Sequence, residues 1–427
     1  MADLDVYLYG RRVGQLQLDS SRRFVFQYDR SWLEAENALP LSLALQPREE
    51  PYRDDEARPF FANLLPEAGI RRTITRRLGI SEENDFALLE AIGGECAGAV
   101  TVLPSGTELP ATGNYQALTD EALIDLVGSL PKRPFLAGEE GVRLSLAGAQ
   151  NKLPIYLEGE RICLPLGANP SSHILKPNIP DHEDTVINEA FCMKLAANMG
   201  LSVPKVEIRF IDDLQVYIIQ RYDREVSNKG NLVRIHQEDF CQALSVLPDA
   251  KYEKEGGPGL VQCFDLIRNY STQPAADVKK LLAWVVFNYL IGNADAHAKN
   301  ISLLLPDEGP RLAPFYDLMC TAVYPALTDR MAMAVGGKGD PKWIIARYWD
   351  QFANDIAVRP RLVKETVLDM AGLIVEVASE VKGEFEKRYG VIEILQQICD
   401  VIEYRSKKLE TAFDVAPEDE EASDDRV

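Results

Sequence analysis

The hydrophobic period of this chain changes character near His236, and that change limits the folds open to it. Before it, DVYLY, RVGQLQL and FVFQY alternate apolar and polar positions between Gly-Arg-Arg and Asp-Ser-Ser turns. RLSLAGAQNKLPIYLEGERICLP, HILKP and VPKVEIRFIDDLQVYIIQRYD repeat the pattern. A period of two predicts strands. The same stretch holds helical patterns in PFFANLLPEAGIRRTITRRLG, DFALLEAIGG, DEALIDLVGSL and NEAFCMKLAANMGL. After His236 the period is close to 3.6 in QEDFCQAL, LVQCFDLIRNY, VKKLLAWVVFNYLIG and two long segments beyond residue 360. A β-rich part followed by a helical part predicts an α+β chain with distinct layers. Its 427 residues suggest two or three domains and suffice for sizeable cores. The expected divisions are 1–104, a Gly/Pro/Thr/Ser-rich linker over 105–118, 119–235, 236–413, and an acidic tail, 414–427, expected to be disordered.

Composition removes several function classes. The chain has 46 basic and 66 acidic residues, net −20, the opposite of the basic footprint that nucleic-acid binding needs. No apolar run reaches the roughly 18 residues of a spanning helix, so no membrane partner is expected. The first residues lack a charged-then-apolar signal pattern. Seven scattered cysteines without a CxxC pair argue against disulfides and zinc, and fit a reducing cytoplasm.

The segment NYLIGNADAHAKNISLLL carries the strongest chemical signal. Asp295 and Asn300 stand five residues apart, the spacing of the protein-kinase catalytic loop. In that loop the aspartate handles the substrate hydroxyl proton and the asparagine ligates Mg²⁺. Asp317 follows 17 residues later, after the strand-like ISLLL and a turn, where a second metal ligand is needed. Hard Mg²⁺ takes carboxylate and phosphate oxygens. Upstream, Ala147, Gly148 and Ala149 form a small-residue loop whose amides can approach a phosphate. Lys176 ends an apolar strand, where it can bind phosphates as a point charge or simply snorkel. Glu189 is a candidate partner for it, with Glu183 and Asp184 as competitors. QRYDR ends a strand where a hinge would offer backbone groups to adenine.

PFFANLLPE (59–67), AIGGECAGAVTVLP (91–104), LSLAGAQNK (144–152), HILKP (173–177), QRYDR (220–224), KYEKEGGPG (251–259), GNADAHAKN (292–300) and FYDL (315–318) occur in order over nearly the whole chain. By these motifs the chain resembles the HipA family of serine/threonine kinases, toxins of bacterial toxin–antitoxin pairs. The resemblance implies a small N-terminal β-barrel-like subdomain on a two-lobed protein-kinase-like core with an all-α C-terminal lobe. It implies ATP and Mg²⁺ as cofactors. Asp295 matches the catalytic aspartate, Lys176 the ATP lysine, and Ala147, Gly148, Ala149, Gln150, Asn151 and Lys152 the phosphate loop. Gln220, Arg221 and Tyr222 match the adenine-side segment, with Gln in place of the motif's Glu. His297, Ala298, Lys299, Asn300, Tyr316 and Asp317 match the remaining nucleotide positions, Asn300 and Asp317 being the metal ligands. Ser145 matches a serine that such kinases autophosphorylate. The implied partners are a dimeric helix-turn-helix antitoxin, operator DNA reached through that complex, and an aminoacyl-tRNA synthetase as substrate (glutamyl-tRNA synthetase in the type member). Two alternatives stand beside this reading: a catalytically weak or inactive co-repressor of the same fold, and a small-molecule or lipid kinase.

Overall fold

The computed structural model describes residues 3–36, 38–109, 112–136 and 146–414. Ser145 and the tail beyond Asp414 lie outside the described residues. The chain forms two compact units. The first comprises Met1–Val186, Pro204–Lys251 and Ile301–Ala313; the second comprises Ile187–Val203, Tyr252–Asn300 and Pro314–Val427.

In the first unit, β1 (Leu4–Leu8), β2 (Arg11–Leu18), β3 (Phe24–Tyr28) and β4 (Val100–Pro104) form an antiparallel sheet ordered β3-β2-β1-β4. The subdomain expected to be barrel-like is thus a four-stranded sheet with β3 and β4 at its edges. Leu4, Val6 and Leu8 are fully buried, as are Phe26, Phe61 and Leu65. Helices α1 (Arg30–Leu33), α2 (Asp54–Ala62), α3 (Ala68–Leu78) and α4 (Asp85–Ile92) complete this part. Gly14 is required where β2 meets β3, since a Cβ there would stand 2.2 Å from the Gln27 carbonyl oxygen.

A second antiparallel sheet is built from β5 (Thr112–Ala117), β6 (Leu153–Glu158), β7 (Arg161–Gly167), β8 (His173–Pro177), β9 (Val206–Ile211) and β10 (Leu214–Gln220), ordered β5-β7-β6-β8-β10-β9. The linker expected over 105–118 therefore ends in a strand. Its Gly and Thr content hid an edge strand held by Tyr115, whose ring stacks on Tyr156 at 3.7 Å and whose hydroxyl donates to the Pro170 carbonyl. Helix α5 (Asp120–Ser129), capped by the Thr119 hydroxyl, packs Leu123 and Val127 against Leu153, Ile155, Leu175, Val216 and Ile218. Because side chains alternate along a strand, Lys176 points to the opposite face from Leu175.

Two smaller sheets follow: a hairpin of β11 (Arg224–Val226) and β12 (Leu232–Arg234), and β13 (Gln237–Asp239) with β14 (Ser302–Leu304) and β15 (Arg311–Leu312). Residues 237–239 were expected to be helical; the helix here, α7, is only Phe240–Ala243. Strand β13 also fastens the N-terminal part. Fully buried Glu238 accepts from the Ser42 hydroxyl at 2.5 Å and the Leu43 amide at 2.9 Å. Burial without a cation raises its pKa from 4.5 to about 7. Between those values the unfolded chain has lost the proton and the folded chain keeps it, so this group's contribution to stability falls as pH rises. The difference integrates to about 3 kcal/mol. The neighbouring His236, depressed to about 4 by burial, has the opposite sign and is unchanged by mutation at 238. Urea unfolding of wild type and Glu238→Gln should coincide near pH 4.5 and diverge by pH 8, the variant being more stable. A pH-independent difference would show that Glu238 does not titrate in this window.

The second unit is helical: α6 (Thr185–Asn198, from Ile187), α8 (Leu260–Tyr270), α9 (Pro274–Ile291), α10 (Ala346–Asp355), α11 (Pro360–Tyr389) and α12 (Glu393–Asp414). Helix α9 is the central one. Its last eleven residues bury all but one of their side chains, Ala283, almost completely, which a helix does when neighbours cover every face. Its neighbours are α8, α11 and α12. Helix α6 lies in the sequence between strands β8 and β9, yet it packs with this unit. Phe191 meets Phe385 edge to face at 5.7 Å, and the Asn188 amide group both donates to and accepts from the Cys320 backbone, each at 2.9 Å.

Candidate active site

In the first unit, the loop Ala147–Lys152 precedes β6. Gly148 has φ +108°, and a Cβ there would come within 2.8 Å of the Lys152 ammonium. The Lys152 end is flexible and could move aside, so it is the positive φ that favours glycine here. The Lys152 ammonium donates to the Ala147 carbonyl, and Gln150 donates to the Pro177 carbonyl at 3.3 Å. The side-chain oxygen of Asn151 is buried without a donor among the described residues. The loop is also tied to a distant motif. The Glu67 amide donates to the Gly148 carbonyl at 3.1 Å, and Lys251 pairs with Glu67 at 2.8 Å. Hence PFFANLLPE and the first residue of KYEKEGGPG support the loop, a role the sequence reading left unassigned. Lys176 is 7% exposed in the middle of its sheet, its ammonium 5.7 Å from the centre of the Tyr217 ring.

The segment Gln220–Tyr222 splits into three different environments. Gln220 is exposed at the end of β10. The Tyr222 hydroxyl donates to Gln237 at 2.5 Å. The Arg221 side chain is buried in an ion cluster: two of its nitrogens bond Asp223 at 2.9 and 2.7 Å, and a third bonds the Ser171 hydroxyl at 3.0 Å. Arg224 joins Asp223 at 2.9 Å, and Glu95 lies within 4 Å of Arg221, Arg224 and Arg234. The Gly98 amide also donates to Asp223. The Arg221 guanidinium is thus committed to the protein, and its amide donates to the Ser172 carbonyl at 3.0 Å, which leaves the backbone carbonyl of this residue for a ligand. Charged residues inside the apolar contexts GGECAG and IIQRYDR were the available sign of this cluster.

In the second unit, α9 ends at Gly292, φ +74°, and the catalytic-loop segment begins. A Cβ at Gly292 would meet Ala322 and Val401 at 2.9 Å. The turn that follows is fixed by side chains. Asn293 donates to Asn288 at 2.8 Å and accepts from the Asp295 amide at 3.0 Å. The Thr321 hydroxyl accepts from the Ala294 amide at 2.7 Å and donates to the Gly292 carbonyl at 3.1 Å. Asn300 donates through its amide nitrogen to the Asp295 carbonyl at 3.0 Å. The Tyr316 hydroxyl donates to the Lys299 carbonyl at 2.9 Å. His297, Ala298, Lys299 and Asn300 are all buried, whereas the Asp295 side chain is 51% exposed. A carboxylate left open on a loop with every neighbour fixed is the arrangement proton transfer requires. The Tyr252 hydroxyl donates to its Oδ1 at 2.5 Å, and the Tyr252 ring meets His297 edge to face.

Asp317 has φ +59°, uncommon for a residue other than glycine. Its neighbours hold it there: the Phe315 amide donates to the Ser202 carbonyl at 2.7 Å, Phe315 stacks on Trp284, and Leu318 is 1% exposed. With its amide nitrogen turned to Asp295, Asn300 keeps its side-chain oxygen as a donor atom, and Asp317 adds a carboxylate. Oxygen donors of these two types suit Mg²⁺ and not a thiophilic metal.

Two family models match, the HipA N-terminal domain over residues 4–103 and the HipA-like C-terminal domain over 144–378. "Putative kinase Y4mE" of Sinorhizobium fredii is 42% identical over 409 residues, 95% of this chain and 97% of that one. "Serine/threonine-protein kinase toxin HipA" of Shewanella oneidensis is 30% identical over 390 residues, 88% and 89% of the two chains. HipA of Shewanella oneidensis MR-1, solved with HipB and its operator DNA, superposes with a TM-score of 0.82 at 26% identity over 97% of this chain and 100% of that one. The two matched domains, the full-length relatives and the shared fold place this chain in the HipA family of kinase-like toxins.

Proposed function

We propose that the protein is an ATP- and Mg²⁺-dependent serine/threonine protein kinase acting as the toxin of a toxin–antitoxin pair. The observation that carries this reading is the half-exposed Asp295 carboxylate on a loop fixed by Asn293, Asn300 and Thr321. Asp295 accepts or orients the proton of the substrate hydroxyl. Asn300 and Asp317 hold Mg²⁺, which offsets charge on the transferring phosphate. Lys176 and the amides around Gly148 hold nucleotide phosphates; the Gln220–Tyr222 backbone serves the adenine side. His297, Lys299 and Tyr316 keep the loop in shape. The kinship to a named serine/threonine kinase toxin supports this assignment. We assign the substrate as an aminoacyl-tRNA synthetase, Ser145 as an autophosphorylation site, and the cytoplasm as the compartment. The test is transfer of labelled γ-phosphate from ATP to the protein itself and to a panel of synthetases. Transfer that requires Mg²⁺ and labels one synthetase on serine or threonine is expected; no transfer to any protein at saturating Mg²⁺ would refute it.

The proposed partner is a dimeric helix-turn-helix antitoxin on operator DNA, as HipB accompanies the Shewanella protein. At −20 this chain needs a basic partner to meet DNA phosphates. Its most basic helix is α3; there Arg71 is already paired with Asp85 at 2.5 Å, while Arg72, Arg76 and Arg77 are exposed. A gel-shift titration should show salt-sensitive operator binding only with the antitoxin present. Tight specific binding by this chain alone would contradict the proposal.

A further inference from the structure

Beside the C-terminal end of α9 a cavity of about 340 Å³ opens in the helical unit. Into it faces Arg405, which is 7% exposed. One nitrogen of Arg405 donates to the Tyr289 carbonyl at 2.7 Å, and the guanidinium lies 5.4 Å from the Tyr289 ring. Among the described residues no carboxylate comes within 4 Å of it, and its two remaining nitrogens have no acceptor. The other deeply buried arginines, Arg221 and Arg224, are each paired with carboxylates. Burying a charge without its counterion is costly.

A second cation shares the cavity. The Lys408 ammonium donates to the Pro341 and Lys342 carbonyls at 2.6 Å and has no carboxylate partner among the described residues. Burial and the charge of Arg405 lower its pKa, with Asp340 opposing them. Tyr289 also lines this cavity, and its hydroxyl is buried without a hydrogen-bond partner among the described residues. Ala322 and Val401 supply apolar wall, and Tyr404, 65% exposed, supplies a ring at the edge. The carboxylates present are Asp329 and Asp400, both exposed, the second already accepting from Gln396.

We infer that this cavity binds a small organic phosphate monoester with an apolar or planar body. A guanidinium with two free donors, an ammonium and a phenol can serve three terminal oxygens, one more than a carboxylate has. The cavity is at the small end of ligand sites. Its wall also reaches the catalytic loop. The Thr321 and Ala322 amides donate to the Gly292 carbonyl at 3.1 Å, so Ala322 lies both on the cavity and on the turn that aims Asp295. Occupancy therefore stiffens or shifts that turn, and the site is regulatory. The regulatory part rests on the kinase reading; the binding part does not.

The test is calorimetry on the full-length protein with phenyl phosphate as probe, and with inorganic phosphate and benzoate for comparison. A saturating non-hydrolysable ATP analogue is present to block any nucleotide site. Phenyl phosphate should bind at least about tenfold more tightly than either comparator. Arg405→Gln and Lys408→Met should each weaken it by about tenfold or more, and Tyr289→Phe by about threefold. Circular dichroism identifies variants that fail to fold, and Tyr289→Phe, which removes one oxygen, keeps the test sound if the others do. No binding up to about 5 mM, or binding unchanged in the folded variants, overturns the site. Benzoate binding equally well overturns the phosphate assignment. Phenyl phosphate that binds as expected but leaves phosphoryl transfer unaltered overturns the regulatory role alone. If wild type transfers no phosphate, the kinase reading fails while the binding result stands.

Discussion

Asp295→Ala should reduce phosphoryl transfer by about 10²–10⁴-fold, the usual range for a general base, and leave folding intact. Its side chain is half exposed, and the hydrogen bonds that set the loop run through its backbone and through Asn293, Asn300 and Thr321. Removing the carboxylate removes the chemistry and one side-chain bond, the one it accepts from the Tyr252 hydroxyl. Stopped-assay rates with labelled ATP, paired with urea unfolding, check both halves. Asp317 needs a different substitution. Its backbone is left-handed, a conformation that asparagine tolerates and alanine resists. Asp317→Asn isolates the lost charge, and its rate should fall steeply and recover in part as Mg²⁺ is raised. Near-wild-type rates for both variants would remove these residues from the catalytic machinery.

Asp223→Ala should destabilise the first unit by about 3–5 kcal/mol, because it strands buried arginines. Asp223 is 3% exposed and takes bonds from Arg221, Arg224 and the Gly98 amide. Burial alone would raise its pKa; the two guanidiniums overcome burial and hold it below the ordinary carboxylate range. Such a group contributes its stability above the unfolded-state pKa of about 3.9 and loses it as pH falls toward the folded value. The variant should show a lower urea midpoint at pH 7 and a smaller further loss below about pH 4 than wild type. An unchanged midpoint would mean that Glu95 alone compensates the three arginines.

Periodicity exposed most of this fold, and its failures have physical causes. Segments with one clear period, such as FVFQY, LQVYIIQ and LVQCFDLIRNY, became the strands and helix expected. The edge strand Thr112–Ala117 escaped because its stabilising contact, Tyr115 on Tyr156, is made across the sheet. QEDFCQAL misled because its first three residues pair with Ser302–Leu304, far along the chain. Residue types and spacing singled out Asp295, Asn300 and Asp317 as candidates. What spacing could not carry was the support: Thr321 under Ala294, Asn188 on Cys320, Glu67 on Gly148, and the commitment of Arg221 to Asp223. The first three are contacts between distant segments, without any local pattern; the last joins residues two apart, and what the sequence hid there was the burial.

The interleaving of the two units bears on how the protein is made. The second unit draws on 187–203, 252–300 and 314–427, and helix α12 buries residues as late as Leu409. Arg405 on that helix bonds the end of α9, immediately before the catalytic loop. During synthesis, chains released before α12 emerges lack a wall of the unit that holds Asp295. On the proposed kinase reading, phosphoryl transfer is expected only from chains that reach α12, and a chain truncated before Arg405 should show none in the labelled-ATP assay.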